Sequence, residues 1–162
     1  MPNITDAMTW FKHQFAGEIT TAIEGTPFTV DFITAIAMQE TYSIWGNLYQ
    51  KLPVAEVLAL CAGDTLDSPN RKAFPKKKAD LIAVKNGKAM FAIARQALED
   101  IGEHIAAYRD VAAMNPNKFC HGFGIFQYDL QHFPTNPSFF LERRWTSFDA
   151  CLDLCVAELK QR

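Results

Sequence analysis

The chain has no run of the roughly 20 apolar residues that a membrane-crossing helix needs, and it has no Cys-x-x-Cys pair. The first absence excludes a helical membrane span. The second removes the usual ligand spacing of a structural zinc site. A basic field is missing as well: the net charge is −2 and the pI is near 6.1. The one dense basic run, Lys76-Lys77-Lys78, reads as a solvated helix turn and not as a phosphate-binding patch. No nucleic-acid partner is expected on that balance. The N-terminus, MPNITDAMTWFKHQF, lacks the basic start and apolar core of a secretory signal. The expectation is a protein kept in the cytosol, exported by other machinery or cut from a longer chain. Repeats, low-complexity tracts and linkers are also lacking, so residues 1–162 read as one domain.

What remains is an ordinary globular composition, 49% hydrophobic and 21% charged, in 162 residues, which is enough for a sizeable core. The 13 Phe exceed the usual share; some belong in the core and others suit the wall of a groove. Of the four cysteines, Cys151 and Cys155 fall on one face of a helix with Phe148, Leu152 and Leu159 and read as buried free thiols. A disulfide from Cys61 or Cys120 to one of them stays open.

Apolar spacing predicts a mainly α fold. Ile4, Met8, Phe11, Phe15, Ile19 and Ile23 stripe a first helix that stops near Gly25. Thr29 caps a second helix, with Asp31 in its first turn, which frays at Gly46. Pro53 starts a third. Gly63–Asn70 reads as a loop, whose Asp64 and Asp67 could hold a cation but more simply cap a solvated turn. Pro75 opens a helix through Val84, and Asn86-Gly87 ends it. A long amphipathic helix then runs from Met90 to about Tyr108. Around 119–130 the pattern changes to closely spaced glycines and aromatics, which suggests a small extended segment or tight turn. Pro134 and Pro137 make a turn, and Thr146 or Ser147 caps a last helix.

The second helix carries the chemistry. Phe32–Gln50 contains a single charge, Glu40, spaced with Ile33, Ile36, Ala37 and Ile44 as if on the buried stripe. A carboxyl in an apolar setting tends to stay protonated, which is the state a general acid needs. The structural alternative is a buried carboxylate paired with Arg or bonded to backbone.

Two segments, AIAMQETYS (Ala35–Ser43) and HGFGIFQYD (His121–Asp129), together resemble the signature segments of the lysozyme-like superfamily, and most closely goose-type lysozymes and lytic transglycosylases. In those families an apolar helix ending in Glu-Ser/Thr presents the catalytic acid, and a Gly-x-Gly-Ile/Leu-Phe/Met-Gln segment lines the saccharide cleft. The resemblance implies a lysozyme-like helical domain in which 47–120 contains a helical insertion. It implies Glu40 as the acid that protonates the leaving glycosidic oxygen, with Asp129 either a second carboxylate or a turn cap. It also implies a substrate-binding set of Tyr42, His121, Gly124, Ile125, Gln127 and Tyr128. His121 is equally a satisfied structural histidine. Trp45 and Tyr49 either flank the groove or pack. The acid that goose-type enzymes often carry before the glycine segment is absent from NPNKFCH, so Asp110, Asp64 and Asp67 stand in reserve.

The implied activity is a peptidoglycan-degrading glycoside hydrolase, a muramidase cutting the β-1,4 bond between N-acetylmuramic acid and N-acetylglucosamine, with no cofactor and no metal. A lytic transglycosylase forming anhydro-sugar ends, or a non-catalytic glycan- or protein-binding module, are the alternatives. Without a signal peptide, the implied setting is an antibacterial effector or phage-type lysin domain. It would reach the wall through delivery machinery, such as a type VI secretion system, with an immunity protein as a further partner.

Overall fold

The structure is a computed structural model that describes residues 3–63 and 71–162. Of the predicted loop Gly63–Asn70, residues 64–70, with Asp64 and Asp67, lie outside the described residues. Among the described residues, eight α-helices and a small three-stranded sheet make a mainly α fold with a small β segment. No helix among the described residues is long and apolar enough to cross a membrane.

Helix α1 (Ile4–Ala22) starts at Asn3, whose side chain accepts from the Thr5 N–H at 2.9 Å. It buries Ala7, Phe11, Phe15 and Ile19. Helix α2 (Val30–Leu48) starts at Thr29, whose hydroxyl accepts from Phe32 N–H. It does not fray at Gly46; the Tyr42 ring lies over that glycine, and the helix continues to Leu48. Helix α8 (Phe148–Lys160), capped by Ser147, closes against α1 through Phe15 and Phe148, which stack at 3.9 Å. Trp10, Phe11, Trp45 and Tyr49 extend this aromatic cluster, so Trp45 and Tyr49 are core packing. Aromatic pairs of this kind contribute about 0.5–1.5 kcal/mol each beyond burial.

The middle of the chain departs from the sequence reading. After α3 (Val54–Leu60) comes strand β1 (Ala62–Gly63), where a loop was expected. Helix α4 is only Lys78–Ile82 and does not begin at Pro75. The predicted long helix is two: α5 (Gly87–His104) and α6 (Ala106–Met114), broken where Ile105 turns extended. Gly102 explains the fold-back, because a Cβ there would lie 2.9 Å from the Arg109 Cα. Arg95 holds the returning helix, donating to the carbonyls of Ala112, Asn115 and Lys118. Met90, Ala94, Leu98 and Ile101 of α5 are fully buried, so the region read as an insertion supplies part of the common core.

The sheet is antiparallel in the order β1-β2-β3, with β2 at Gly122–Phe123 and β3 at Tyr128–Asp129. Ala62 faces Phe123, and Phe123 faces Tyr128. A 3-10 turn at Leu130–His132 and helix α7 (Pro137–Leu141) lead back to α8. All four cysteines are buried, and none forms a disulfide with another.

Candidate active site

Thr41, not Glu40, enters the core of α2. The buried positions are Ile33, Thr34, Ala37, Thr41, Ile44, Trp45 and Leu48, while Glu40 is exposed. The expectation that Glu40 sits on the buried stripe is therefore corrected: Ile33, Ala37 and Ile44 are buried as expected, but the stripe is centred roughly 60° further round the helix, toward Thr41. Thr41 can be buried because its hydroxyl donates to the carbonyl of Ile125 at 2.7 Å. That bond ties α2 to the hairpin between β2 and β3, 84 positions away. Glu40, the preceding residue, is thereby held beside the glycine-aromatic segment.

The hairpin is shaped by its glycine. Gly124 has φ +83°, a conformation that costs an L-residue about 1–2 kcal/mol. A Cβ at Gly124 would collide with the Cys151 sulfur of α8. We expect Gly124→Ala to cost about 2–5 kcal/mol, combining the backbone strain with overpacking. Urea unfolding checks this, and the same substitution in a Cys151→Ala background should recover only the packing share.

Helices α2 and α8 and the hairpin enclose a cleft of about 310 Å³. That is the lower end of the roughly 300–1,000 Å³ of small-molecule sites. Helix α2 presents Phe32, Ile36, Gln39 and Glu40. The hairpin presents Phe123, Phe126 and Tyr128. Helix α8 presents Cys151, Leu154, Cys155, Glu158 and Leu159, with Arg162 beyond its end. Glu40, Glu158 and Arg162 are exposed, so the cleft opens to solvent. No family model, no curated protein and no solved structure matches this chain. What the cleft does must be argued from its own atoms.

The sequence-predicted residues divide into two groups. Glu40 and Tyr128 line the cleft. Tyr128 stacks on His132 at 4.5 Å; burial raises its pKa above the usual phenol value, against a hydrogen bond from Asn136, with Glu158 adding to the rise. Gly124 and Ile125 are buried and shape the wall without meeting a ligand, apart from the Ile125 carbonyl that holds Thr41. His121 is fully buried against Phe119, which removes it from the expected substrate contacts. Gln127 turns inward: its amide donates to the Gly124 carbonyl at 2.8 Å, and its amide oxygen packs over Gly122. Tyr42 packs on Gly46 and Trp45, away from the residues that line the cleft.

Asp129 is not among the residues that line the cleft. Its two oxygens accept from Arg71 at 2.7 and 2.9 Å, and Oδ1 also accepts from the Gln131 N–H. The turn-cap reading describes this geometry, and the free second carboxylate does not. Asp110 is exposed on α6 and does not line the cleft either. The Arg71–Asp129 pair is partly buried, between the ~0–1 kcal/mol of exposed pairs and the ~3–5 kcal/mol lost on breaking buried ones. Asp129→Asn should cost about 1–2 kcal/mol, lowering Tm by ~2–8 °C in a thermal melt.

Three polar cleft residues, Gln39, Glu158 and Arg162, escaped the sequence reading. Glu158 follows Cys151 and Cys155 by seven and three positions, on the same α8 face. Gln39 precedes Glu40 and offers an uncharged amide beside it. Among the described residues no group of His, Cys, Asp or Glu side chains is arranged to hold a metal ion.

Proposed function

We propose that the chain is a peptidoglycan-degrading glycoside hydrolase, a muramidase with Glu40 as its general acid. One observation carries the reading: Glu40 opens into the same cleft as Phe123, Phe126 and Tyr128 of the glycine-aromatic segment. Those two segments are the ones that resemble goose-type lysozymes and transglycosylases. Aromatic faces suit the apolar side of a sugar ring, and the Gln39 amide suits hydroxyl and acetamido groups. The acid works at the groove surface. A glycan strand lying across Phe126 and Tyr128 would displace water from the Glu40 carboxyl, supplying the desolvation that the free fold does not.

Hydrolysis is favoured over cyclisation by a specific feature, the second carboxylate of Glu158 in the same cleft. The wall as target, delivery by other machinery and an immunity partner remain part of the proposal through the resemblance alone. The test is digestion of purified peptidoglycan with mass analysis of the products. Muropeptides with reducing ends support a muramidase, and anhydro ends would assign transglycosylation instead. Binding without any release would make the chain a glycan-binding module.

A further inference from the structure

We infer that Glu158 is the second carboxylate of the cleft and acts as the general base that activates water opposite Glu40. This rests on the glycosidase reading and deepens it. Glu40 projects from α2 and Glu158 from α8, the two helices whose faces form the cleft. Both carboxylates line it together with Phe123, Phe126 and Tyr128 of the hairpin. The Cys155 thiol records both of them: it is pushed up to about 11, by burial first, then by Glu158, then by Glu40. His132 Nε2 stands 3.7 Å from the Glu158 carboxylate and is itself held flat against Tyr128. Glu158 therefore has a neighbour that orients it and a face open to solvent, where water can reach it.

The two carboxyls then divide the reaction. Glu40 gives its proton to the glycosidic oxygen, which leaves with the electron pair of the broken bond to the anomeric carbon. A water molecule held by Glu158 adds its oxygen to that carbon from the opposite face and passes one proton to Glu158. The strand gains one water. Glu40 is left ionised and Glu158 protonated, and solvent exchange restores both. Attack from the opposite face inverts the anomeric configuration, which requires the carboxyls roughly 6.5–9.5 Å apart with water between them.

The charged and titratable groups facing Glu158 are Glu40 from α2, Tyr128 from β3, His132 from the 3-10 turn, and Cys155 and Arg162 from its own end of the chain. The experiment compares wild type, Glu40→Gln, Glu158→Gln and the surface control Glu142→Gln on purified peptidoglycan. Each is also followed by alkylation of Cys155 with iodoacetamide at pH 8, below the range in which the buried thiols weaken the fold. Glu158→Gln is expected to lower kcat by ~10²–10⁴-fold with little change in KM and to remove the acidic limb of the kcat/KM profile. Its Cys155 should alkylate faster, because a raising charge is gone; that readout does not need activity. Proton NMR of the first product should show the inverted anomer. A Glu158→Gln enzyme with wild-type kcat and an intact acidic limb, beside an inactive Glu40→Gln, overturns the role of Glu158 alone. An inert wild type, or a fully active Glu40→Gln, overturns the glycosidase reading and takes this inference with it.

Discussion

Glu40→Gln is expected to lower peptidoglycan cleavage by ~10²–10⁴-fold, the usual contribution of a positioned general acid. The amide is nearly isosteric and keeps hydrogen-bonding capacity, but it carries no proton that the leaving oxygen can take. Glu40 is exposed on α2, and the helix is held by Ala37, Thr41 and Ile44 on its other side. The substitution leaves that buried face untouched, so the variant should stay folded and melt cooperatively. Paired assays decide the matter: released reducing ends for activity, and thermal unfolding for integrity. A variant that keeps a tenth or more of wild-type activity would remove the acid role. Loss of activity together with a large drop in Tm would leave folding as the cause, so the melt belongs with the assay.

The neighbouring residue makes this a sharp test. Thr41→Val removes the hydroxyl that bonds Ile125 but leaves Glu40 chemically intact. If Glu40 works only when α2 and the hairpin are locked together, such a variant loses activity through geometry. The pair Glu40-Thr41 thus reads as two jobs on adjacent faces, with the hydroxyl fastening the hairpin and the carboxyl facing the groove.

How much of this was legible in the sequence follows from which forces are local. The starts of α2 and α8 were, because caps are local: Thr29 and Ser147 each accept from an N–H group three residues on. The extended segment was, because Gly122 and Gly124 break helical spacing within a few residues. The break at Ile105 was not, since it depends on a close approach between Gly102 and Arg109 that spacing does not encode. Nor was the phase of α2. Ile36 and Glu40 scored as part of an apolar face, but a threonine whose hydroxyl is satisfied 84 residues away took the buried place. The second carboxylate failed for the same reason. Asp129 lay beside the motif, yet Arg71 claimed it. Glu158 lay far along the chain and shares a cleft with Glu40 only because α8, α2 and the hairpin border it together.

The buried thiols give the largest expected effect on stability. Cys61 is completely buried and its pKa is raised by desolvation first and by Cys151 second, against a hydrogen bond from Thr41. Cys151 is pushed up to about 12, again mainly by burial. Both pKa values are higher in the folded chain than in the unfolded one, near 9. Their contribution is then fully present below pH 9 and is lost as pH rises from there toward the folded values, because the unfolded chain sheds these protons first. Each thiol removes about 1.4 kcal/mol per pH unit in that window, so the pair removes about 3 kcal/mol per unit. Two units remove about 6 kcal/mol, a large share of the about 5–15 kcal/mol of a typical domain and all of it at the lower end. Urea unfolding between pH 8 and pH 11 should show a steep fall beginning near pH 9. Cys151→Ala should start slightly less stable at pH 8, since it empties a packed position, and should then fall less steeply by about 1.4 kcal/mol per unit. Equal slopes in the two proteins would mean that the Cys151 thiol ionises as easily in the folded chain as in the unfolded one, and that its burial beside Gly124 and Trp145 is looser than the hairpin geometry requires.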